Sequence, residues 1–244
     1  TTTRELVRGL AHEIKNPLGG IRGAAQLLAQ EISDNDLIDH TKVIMEEADR
    51  LRNLVDRLVG SRKPPELKEI NIHEVLERVR NLIAAETLGK GIKLYCDYDP
   101  SLPAVLADSE KMIQALLNLL RNSLQALASP EIDHQLGEII LRTRISRNIT
   151  IASKFYKLAV AIEIIDNGPG IPQEISETIF YPMISGRPDG SGLGLPISHG
   201  IVTQHGGMIE CDSKPGETKF TVTMPIKRNS KFSTSKVQQV NELK

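Results

Sequence analysis

The feature that most constrains the fold of this chain is a seven-residue apolar repeat in residues 1–60. The repeat has two runs, and each run has the spacing of a helix with one narrow apolar stripe. The stripe residues are Val7, Leu10, Ile14, Pro17, Ile21, Ala24 and Leu28 in the first run, and Leu37, Thr41, Ile44, Ala48, Leu51, Val55 and Leu58 in the second. Between the runs, residues 33–36 (SDND) combine turn-forming and helix-capping residue types. The pattern predicts two antiparallel helices.

Helices with such narrow apolar stripes cannot form a core as a single pair. The simplest way to cover both stripes is to pair the hairpin with a second copy, which gives a four-helix bundle. We therefore expect residues 1–60 to be a dimerisation domain and the chain to be a homodimer.

The first helix contains a conflict of residue types close to an ionisable pair, His12 and Glu13. Pro17, Gly19 and Gly20 follow about one turn later, and a helix interior tolerates proline and glycine least. Pro17 also removes the N–H that the carbonyl of Glu13 would accept. The segment is therefore either a kink that packing tolerates or a hinge that bends during function.

The rest of the chain has mixed helix and strand patterns after a linker rich in Gly, Ser and Pro, which we place at residues 61–69. Residues 70–228 form the second predicted domain, and residues 229–244 form a polar, frayed tail. Helices are predicted over 71–88, 110–128 and 197–205, and strands over 92–98, 138–145, 158–165, 207–211 and 218–226. The polar segment RNITIASKFYK is predicted to be the loop of a hairpin.

Composition excludes several classes of function. A net charge of −1 argues against nucleic acid as the main partner, and 3% aromatic residues with no Trp argue against a base-stacking platform. No apolar run approaches the ~18–20 residues that cross a bilayer, and no signal peptide opens the sequence. Cys96 and Cys211 form no metal-binding pattern, and a reducing, cytoplasmic setting is the simpler interpretation. Because the chain begins in the middle of a pattern, we expect an upstream domain.

Two amides stand out on the strongly apolar helix at 110–128. Asn118 and Asn122 are four residues apart, so they share a helix face. A buried amide costs free energy unless it has a partner. Each residue is therefore either an amide that caps a neighbouring loop or an oxygen ligand for Mg²⁺. The residues alone favour the first interpretation.

Two glycine-containing segments follow. Asp166 ends an apolar strand and is followed by Gly168 and Gly170. This is often only a turn, but glycines also let a ligand approach the backbone, and a carboxylate accepts hydrogen bonds from an exocyclic amine. The second segment contains the three glycines of a possible anion cradle before a helix that has proline in its first turn, namely Gly190, Gly192, Gly194 and Pro196. It is neither a dinucleotide fingerprint nor a Walker A loop. The stretch between the two segments is short, punctuated by Gly and Pro, and suited to act as a lid.

Together these elements resemble the ATP-binding domain of sensor histidine kinases, a fold shared with gyrase, Hsp90 and MutL. The matching residues are Asn118 and Asn122 in the N box, Asp166, Gly168 and Gly170 in the G1 box, Phe180 in the F box, and Gly190, Gly192 and Gly194 in the G2 box. Residues 12–17 (HEIKNP) resemble the signature of the family's dimerisation and phosphoacceptor hairpin. The resemblance implies an α+β protein of two domains, a dimeric four-helix bundle and an α/β sandwich that binds ATP and Mg²⁺, with Asn122 as the Mg²⁺ ligand.

The resemblance also implies a reaction at His12, which the repeat places opposite the apolar stripe. A neutral imidazole nitrogen is a nucleophile near pH 7, and Glu13 is placed to accept the proton of the other ring nitrogen. The phosphohistidine then passes its phosphoryl group to an aspartate of a response regulator. Asn16 orients a water for the reverse, phosphatase activity, and Arg187 contacts the γ-phosphate.

Three details are similar to the nitrogen-regulation branch of the family: the segment HEIKNPLGGIRGAAQLL, the segment YPMISGR, and the long hairpin before Asp166. They imply a response regulator resembling NtrC and a PII-type signal protein as partners. The chain departs from the family at Ser191, where Thr is usual, and at Gln125, where many relatives have Lys. The second change leaves phosphate neutralisation more dependent on Mg²⁺ and Arg187.

Two other classes of function stay open. A conformational ATPase of the gyrase or Hsp90 kind leaves His12 without a role, and it usually has an acidic residue where this chain has Gln114 and Asn118. A catalytically silent scaffold is the third possibility, and the intact N, G1 and G2 elements disfavour it.

Overall fold

The computed structural model describes residues 2–59, 64–87, 91–128, 137–186 and 192–226, and it describes side chains from residue 13 onward, except at 53, 54 and 56–59. The chain divides into two compact units, Thr1–Pro64 with Ile171–Ile201, and Pro65–Gly170 with Val202–Lys244. The predicted bounds of the linker and of the tail stay predictions, since residues 60–63 and 227–244 lie outside the described residues. No described helix is long and apolar enough to span a bilayer.

The first unit contains the predicted helical hairpin, made of α1 (Thr2–Glu31) and α2 (Asn35–Val59). Asp34 caps the start of α2, because its carboxylate accepts a hydrogen bond from the N–H of Asp36 and its carbonyl accepts one from the N–H of Ile38. Small side chains fill the interface of the two helices, and Ala25, Thr41, Ala48 and Val55 are buried there. The guanidinium of Arg22 on α1 forms a salt bridge with the carboxylate of Asp49 on α2, with 2.8 Å between Nε and Oδ1.

Large apolar side chains of the same hairpin stay exposed. Ile14, Ile21, Leu28, Ile44 and Leu51 each expose between 41% and 51% of their surface. Thus the hairpin buries its small residues and leaves its large ones outside, as expected of half of a larger bundle.

The second unit is an α/β sandwich. Its main sheet has the order β2 (Lys93–Asp97), β4 (Glu138–Ile151), β5 (Lys154–Asp166), β7 (Glu217–Pro225) and β6 (Met208–Lys214). Among these described strands, β2 and β4 are parallel, and the other three neighbouring pairs are antiparallel. Helices α3 (Ile72–Thr87) and α4 (Ser109–Leu127) contribute many further core residues. A two-stranded sheet pairs β1 (Lys68–Ile70) with β3 (Val105–Ala107). Buried and more exposed residues alternate along β4, so one face of the sheet is covered.

The β4–β5 hairpin differs from the sequence-based expectation. The segment RNITIASKFYK, predicted to be a loop, is paired strand up to a two-residue turn at Ala152 and Ser153, whose φ angles are 45° and 64°. Before Ala159, at residues 154–158, β5 pairs with β4 alone. No other described strand pairs with this part of the hairpin, and its many polar residues do not show the apolar alternation that predicts a strand.

Candidate functional site

The carboxylate of Asp166 is a buried, hydrogen-bonded acidic group of the second unit. Asp166 ends β5, and only 2% of its surface is exposed. Its Oδ2 accepts a hydrogen bond of 2.6 Å from the Ser123 hydroxyl, and its Oδ1 accepts one of 3.0 Å from the N–H of Gly168. A buried charge is tolerated only when donors surround it. The two donors fix both the position and the orientation of this carboxylate.

The glycines after Asp166 are required by the packing of the loop itself. A Cβ atom on Gly168 would lie 2.7 Å from Oδ1 of Asp166. At Gly170, where φ is +87°, a Cβ atom would lie 2.9 Å from the carbonyl of Lys214. The carbonyl of Gly168 also accepts a hydrogen bond of 2.9 Å from the N–H of Gly216. Both glycines therefore let the loop pack against Asp166 and against the β6–β7 turn.

Helix α4 carries both predicted amides to the region of Asp166. Asn118 and Asn122 lie one turn apart and are half-buried, and Ser123, the next residue, contacts the carboxylate. The helix starts at the N-cap Asp108, whose side chain accepts a hydrogen bond from the N–H of Lys111. No group of three or more His, Cys, Asp or Glu residues that could hold a metal occurs among the described residues. The amide oxygens of Asn118 and Asn122 are of the oxygen type that Mg²⁺ accepts.

Sequence reasoning missed two hydroxyl residues of this site. Ser123 is 1% exposed, and its position next to Asn122 on an apolar helix was the available signal. Thr218 pairs with Asp166 across β5 and β7, is 4% exposed, and has its Oγ1 2.8 Å from Oγ of Ser213. A pairing between distant strands gave no signal in the sequence.

A thiol lies on the same face of the sheet. Cys211 pairs with Phe220 on β7, two residues along from the pair of Ser213 and Thr218. Burial, together with the carboxylates of Asp166 and Asp212, raises the pKa of Cys211 to about 12. The group is therefore an uncharged thiol at neutral pH and not a nucleophile.

The other predicted glycine segment belongs to the first unit. Gly192 has a φ of +61°, and an added Cβ atom would lie 2.7 Å from the backbone of Met183. Its carbonyl accepts a hydrogen bond of 3.1 Å from the N–H of Met183. Gly194 begins α6 (Gly194–Gln204), the helix that follows the short α5 (Gln173–Ser176), and Pro196 lies in its first turn as expected.

Three further predicted residues lie in this segment or before it. The ring of Phe180 lies 5.5 Å from the imidazole of His199. Gly190 and Arg187, in contrast, lie outside the described residues, so their predicted roles stay predictions.

The predicted phosphoacceptor segment lies on α1. His12 belongs to this helix, but its side chain is outside the described part of the chain. Glu13, Asn16 and Pro17 are exposed, and α1 continues as a helix through Pro17. No atom lies within 4 Å of a Cβ added at Gly19. Local packing therefore does not explain the glycine at that position.

Two family models match the chain. Residues 2–62 match the His Kinase A (phospho-acceptor) domain, and residues 107–228 match the histidine kinase-, DNA gyrase B-, and HSP90-like ATPase. Among curated proteins, the sensory histidine kinase/phosphatase NtrB of Escherichia coli O157:H7 is 53% identical over 92% of this chain, and that of Rhodobacter capsulatus is 41% identical over 89%. The chain spans 63% and 60% of the lengths of these two relatives.

Solved structures of histidine kinases are similar as well. The chain matches histidine kinase ThkA in complex with response regulator protein TrrA with a TM-score of 0.57 and 25% identity, over 91% of this chain and 61% of that one. The catalytic domain of ThkA alone matches with a TM-score of 0.53 and 26% identity, over 66% of this chain and 95% of that one. Full-length ShkA in complex with AMPPNP, at 24% identity and a TM-score of 0.63, shares the fold.

Proposed function

The chain belongs to the histidine kinase-, DNA gyrase B-, and HSP90-like ATPase family, and from that premise we propose that it is the kinase and phosphatase portion of an NtrB-type sensor. It phosphorylates His12 from ATP, transfers the phosphoryl group to an aspartate of a response regulator, and also removes it from that partner. One observation carries the proposal: the same chain joins a phospho-acceptor hairpin to an ATPase-type domain that holds a fixed, buried carboxylate.

Asp166 supplies recognition of the adenine base. Its carboxylate only accepts hydrogen bonds, which suits the exocyclic amine of adenine. Guanine has a carbonyl oxygen at the corresponding position, and that oxygen would face another acceptor. The fixed orientation of Asp166 thus favours ATP over GTP.

Asn122 and Asn118 supply oxygen ligands for the metal ion that accompanies the phosphates. Their amide oxygens are hard ligands of the kind that Mg²⁺ accepts, and Mg²⁺ usually completes its shell with phosphate oxygens and waters. The donor set on α4 therefore fits this ion, with Asn122 as the ligand. When bound, the ion neutralises phosphate charge. Arg187 and the glycines Gly190, Gly192 and Gly194 complete the phosphate contacts in this proposal.

His12 is the nucleophile. Its neutral imidazole nitrogen attacks the γ-phosphorus, an N–P bond forms as the bond to the β-phosphate oxygen breaks, and ADP leaves. Glu13, exposed beside it on α1, takes the proton of the other ring nitrogen. In the next step the aspartate of the response regulator attacks the phosphohistidine and releases the imidazole. Asn16, also exposed and one turn along, orients the water that later hydrolyses the aspartyl phosphate.

The partners follow from the same proposal. The exposed large apolar residues of α1 and α2 are covered by a second copy, so the chain works as a homodimer. The response regulator resembles NtrC, a PII-type protein regulates the balance of the two activities, and the pathway is nitrogen regulation. Cys96 and Cys211 are free thiols, which supports a cytoplasmic location.

Incubation with ATP labelled at the γ-phosphate tests the function. A kinase of this type gives label on the protein that is lost in acid and stable in base. Release of labelled phosphate without labelled protein would indicate a conformational ATPase instead. The absence of both products would indicate a silent scaffold.

A further inference from the structure

The contact between Ser123 and Asp166 joins α4 to the end of β5. Both residues are almost fully buried, with 1% and 2% of their surfaces exposed. The distance of 2.6 Å from Oγ to Oδ2 lies in the range of hydrogen bonds between a hydroxyl and a charged carboxylate. Because bulk water does not reach this contact, no solvent donor replaces the hydroxyl if it is removed.

We propose that Ser123 is a positioning residue for nucleotide-base recognition: its hydroxyl holds the Asp166 carboxylate in the orientation that accepts the amine of adenine. The inference rests on the function proposed above and assigns a role to a residue outside the predicted site. The N–H of Gly168 holds the other oxygen at 3.0 Å. Removal of the Ser123 hydroxyl would take away the donor that α4 contributes to Oδ2, whereas the Gly168 donor belongs to the loop of Asp166 itself.

A purely structural role makes a different prediction. If the hydroxyl only stabilises the packing of α4 on β5, its loss lowers the stability of the protein and weakens the binding of every nucleotide to the same extent. If the hydroxyl orients Asp166 toward the base, its loss weakens the binding of only those nucleotides that present an exocyclic amine. Purine riboside triphosphate separates the two roles, because it lacks the exocyclic amine and is otherwise ATP.

Three substitutions on the full chain dissect the contact. Ser123→Ala removes the donor, Ser123→Cys fills the same space with a weaker donor, and Ser123→Thr keeps the hydroxyl. The matched control is Thr143→Val. Thr143 is also fully buried, and its Oγ1 lies 3.0 Å from the N–H of Asp99 and 3.0 Å from Nε2 of His73, but it lies on β4 away from the site.

The readout is the dissociation constant of each nucleotide, measured by calorimetry on proteins whose folding is checked by thermal unfolding. We expect Ser123→Ala and Ser123→Cys to raise the dissociation constant of ATP by about tenfold. The dissociation constant of purine riboside triphosphate should change by less than about twofold. Ser123→Thr and Thr143→Val should keep the preference of the wild type for ATP. In autophosphorylation, the KM for ATP should rise in the Ala and Cys variants with little change in kcat.

An equal loss of affinity for ATP and for purine riboside triphosphate would overturn the inference. An unchanged ATP affinity in a folded Ser123→Ala variant would overturn it as well. If Ser123→Ala does not fold, the Cys variant decides in the same way. Failure of the proposed function is distinguishable, because the wild type would then give no labelled protein with γ-labelled ATP, whatever the nucleotide affinities of the Ser123 variants.

Discussion

Asp166 is a carboxylate at the end of a buried strand, and burial of a charge costs free energy unless donors surround it. Here the donors come from a helix and from a glycine loop, so the charge is held at a defined point and in a defined orientation. A group of this kind selects a ligand by its hydrogen-bond donors. The same reasoning applies to Asn122 on α4, whose amide oxygen suits a hard cation.

Substitution of Asp166 by Asn should weaken ATP binding by about tenfold to a hundredfold, because the charge is lost and the amide can present a donor to the adenine amine. The dissociation constants of ATP and GTP measure the effect. Asp212→Asn is the control, since that carboxylate is 78% exposed, and it should leave ATP affinity unchanged. A wild type that uses ATP and GTP equally would contradict the role of Asp166.

Removal of the Asn122 amide by an Ala substitution should reduce Mg²⁺-dependent ATP binding and abolish phosphoryl transfer while the fold persists. The direct measurement is ATP affinity with and without Mg²⁺. Gln114→Ala changes an exposed amide on the same helix and serves as the control. An unchanged Mg²⁺ dependence in Asn122→Ala would show that the amide is structural, which is the interpretation that the residues alone favoured.

At the scale of helices and strands, the sequence predicted elements well where one face is buried. The seven-residue repeat predicted α1 and α2, and alternating apolar residues predicted the core strands β4, β5 and β7. The prediction failed for residues 147–157, the end of the β4–β5 hairpin before Ala159, where the strands are polar and no other described strand pairs with them. The short strands β1 and β3 were also missed, since three residues carry little periodicity. Contacts between elements, such as Ser123 with Asp166, depend on tertiary packing and leave no local pattern.

Pro17 lies inside α1, which continues as a helix on both sides of it. Substitution by Ala restores an N–H to the helix and should stabilise the chain by up to about 3 kcal/mol if nothing compensates the proline. If Pro17 is a hinge, the ratio of kinase to phosphatase activity should change with little effect on ATP affinity. Melting temperature, ATP affinity and both activities should be measured on the same preparation.

Gly19→Ala is the matched control for Pro17→Ala. It should stabilise the same helix by about 1 kcal/mol, and an added Cβ at Gly19 meets no atom within 4 Å. This variant shows what added helix stability does by itself. A stabilised Pro17→Ala variant with an unaltered activity ratio would leave the proline as a tolerated kink.

At the scale of the whole molecule, the account divides the reaction between two parts of the chain. In the proposed function, the hairpin carries the acceptor His12 and an exposed apolar face for a second copy, and the domain that contains Asp166 and Asn122 is the nucleotide-binding part. The hairpin was predictable from the seven-residue repeat and from the motif at residues 12–17. The nucleotide-binding domain was predictable only as a set of residues separated along the sequence. The structure shows that Ser123, next to Asn122 on α4, contacts Asp166.

The most direct test of this division is the His12→Gln variant, measured for ATP affinity and for labelling by γ-labelled ATP on one preparation. The account predicts that labelling is lost and that ATP affinity stays within about twofold of the wild type, because the acceptor does not contribute to the nucleotide site. His40→Gln, which changes an exposed histidine on α2, should retain both properties. Persistent labelling of His12→Gln, or a loss of its ATP affinity, would contradict the account.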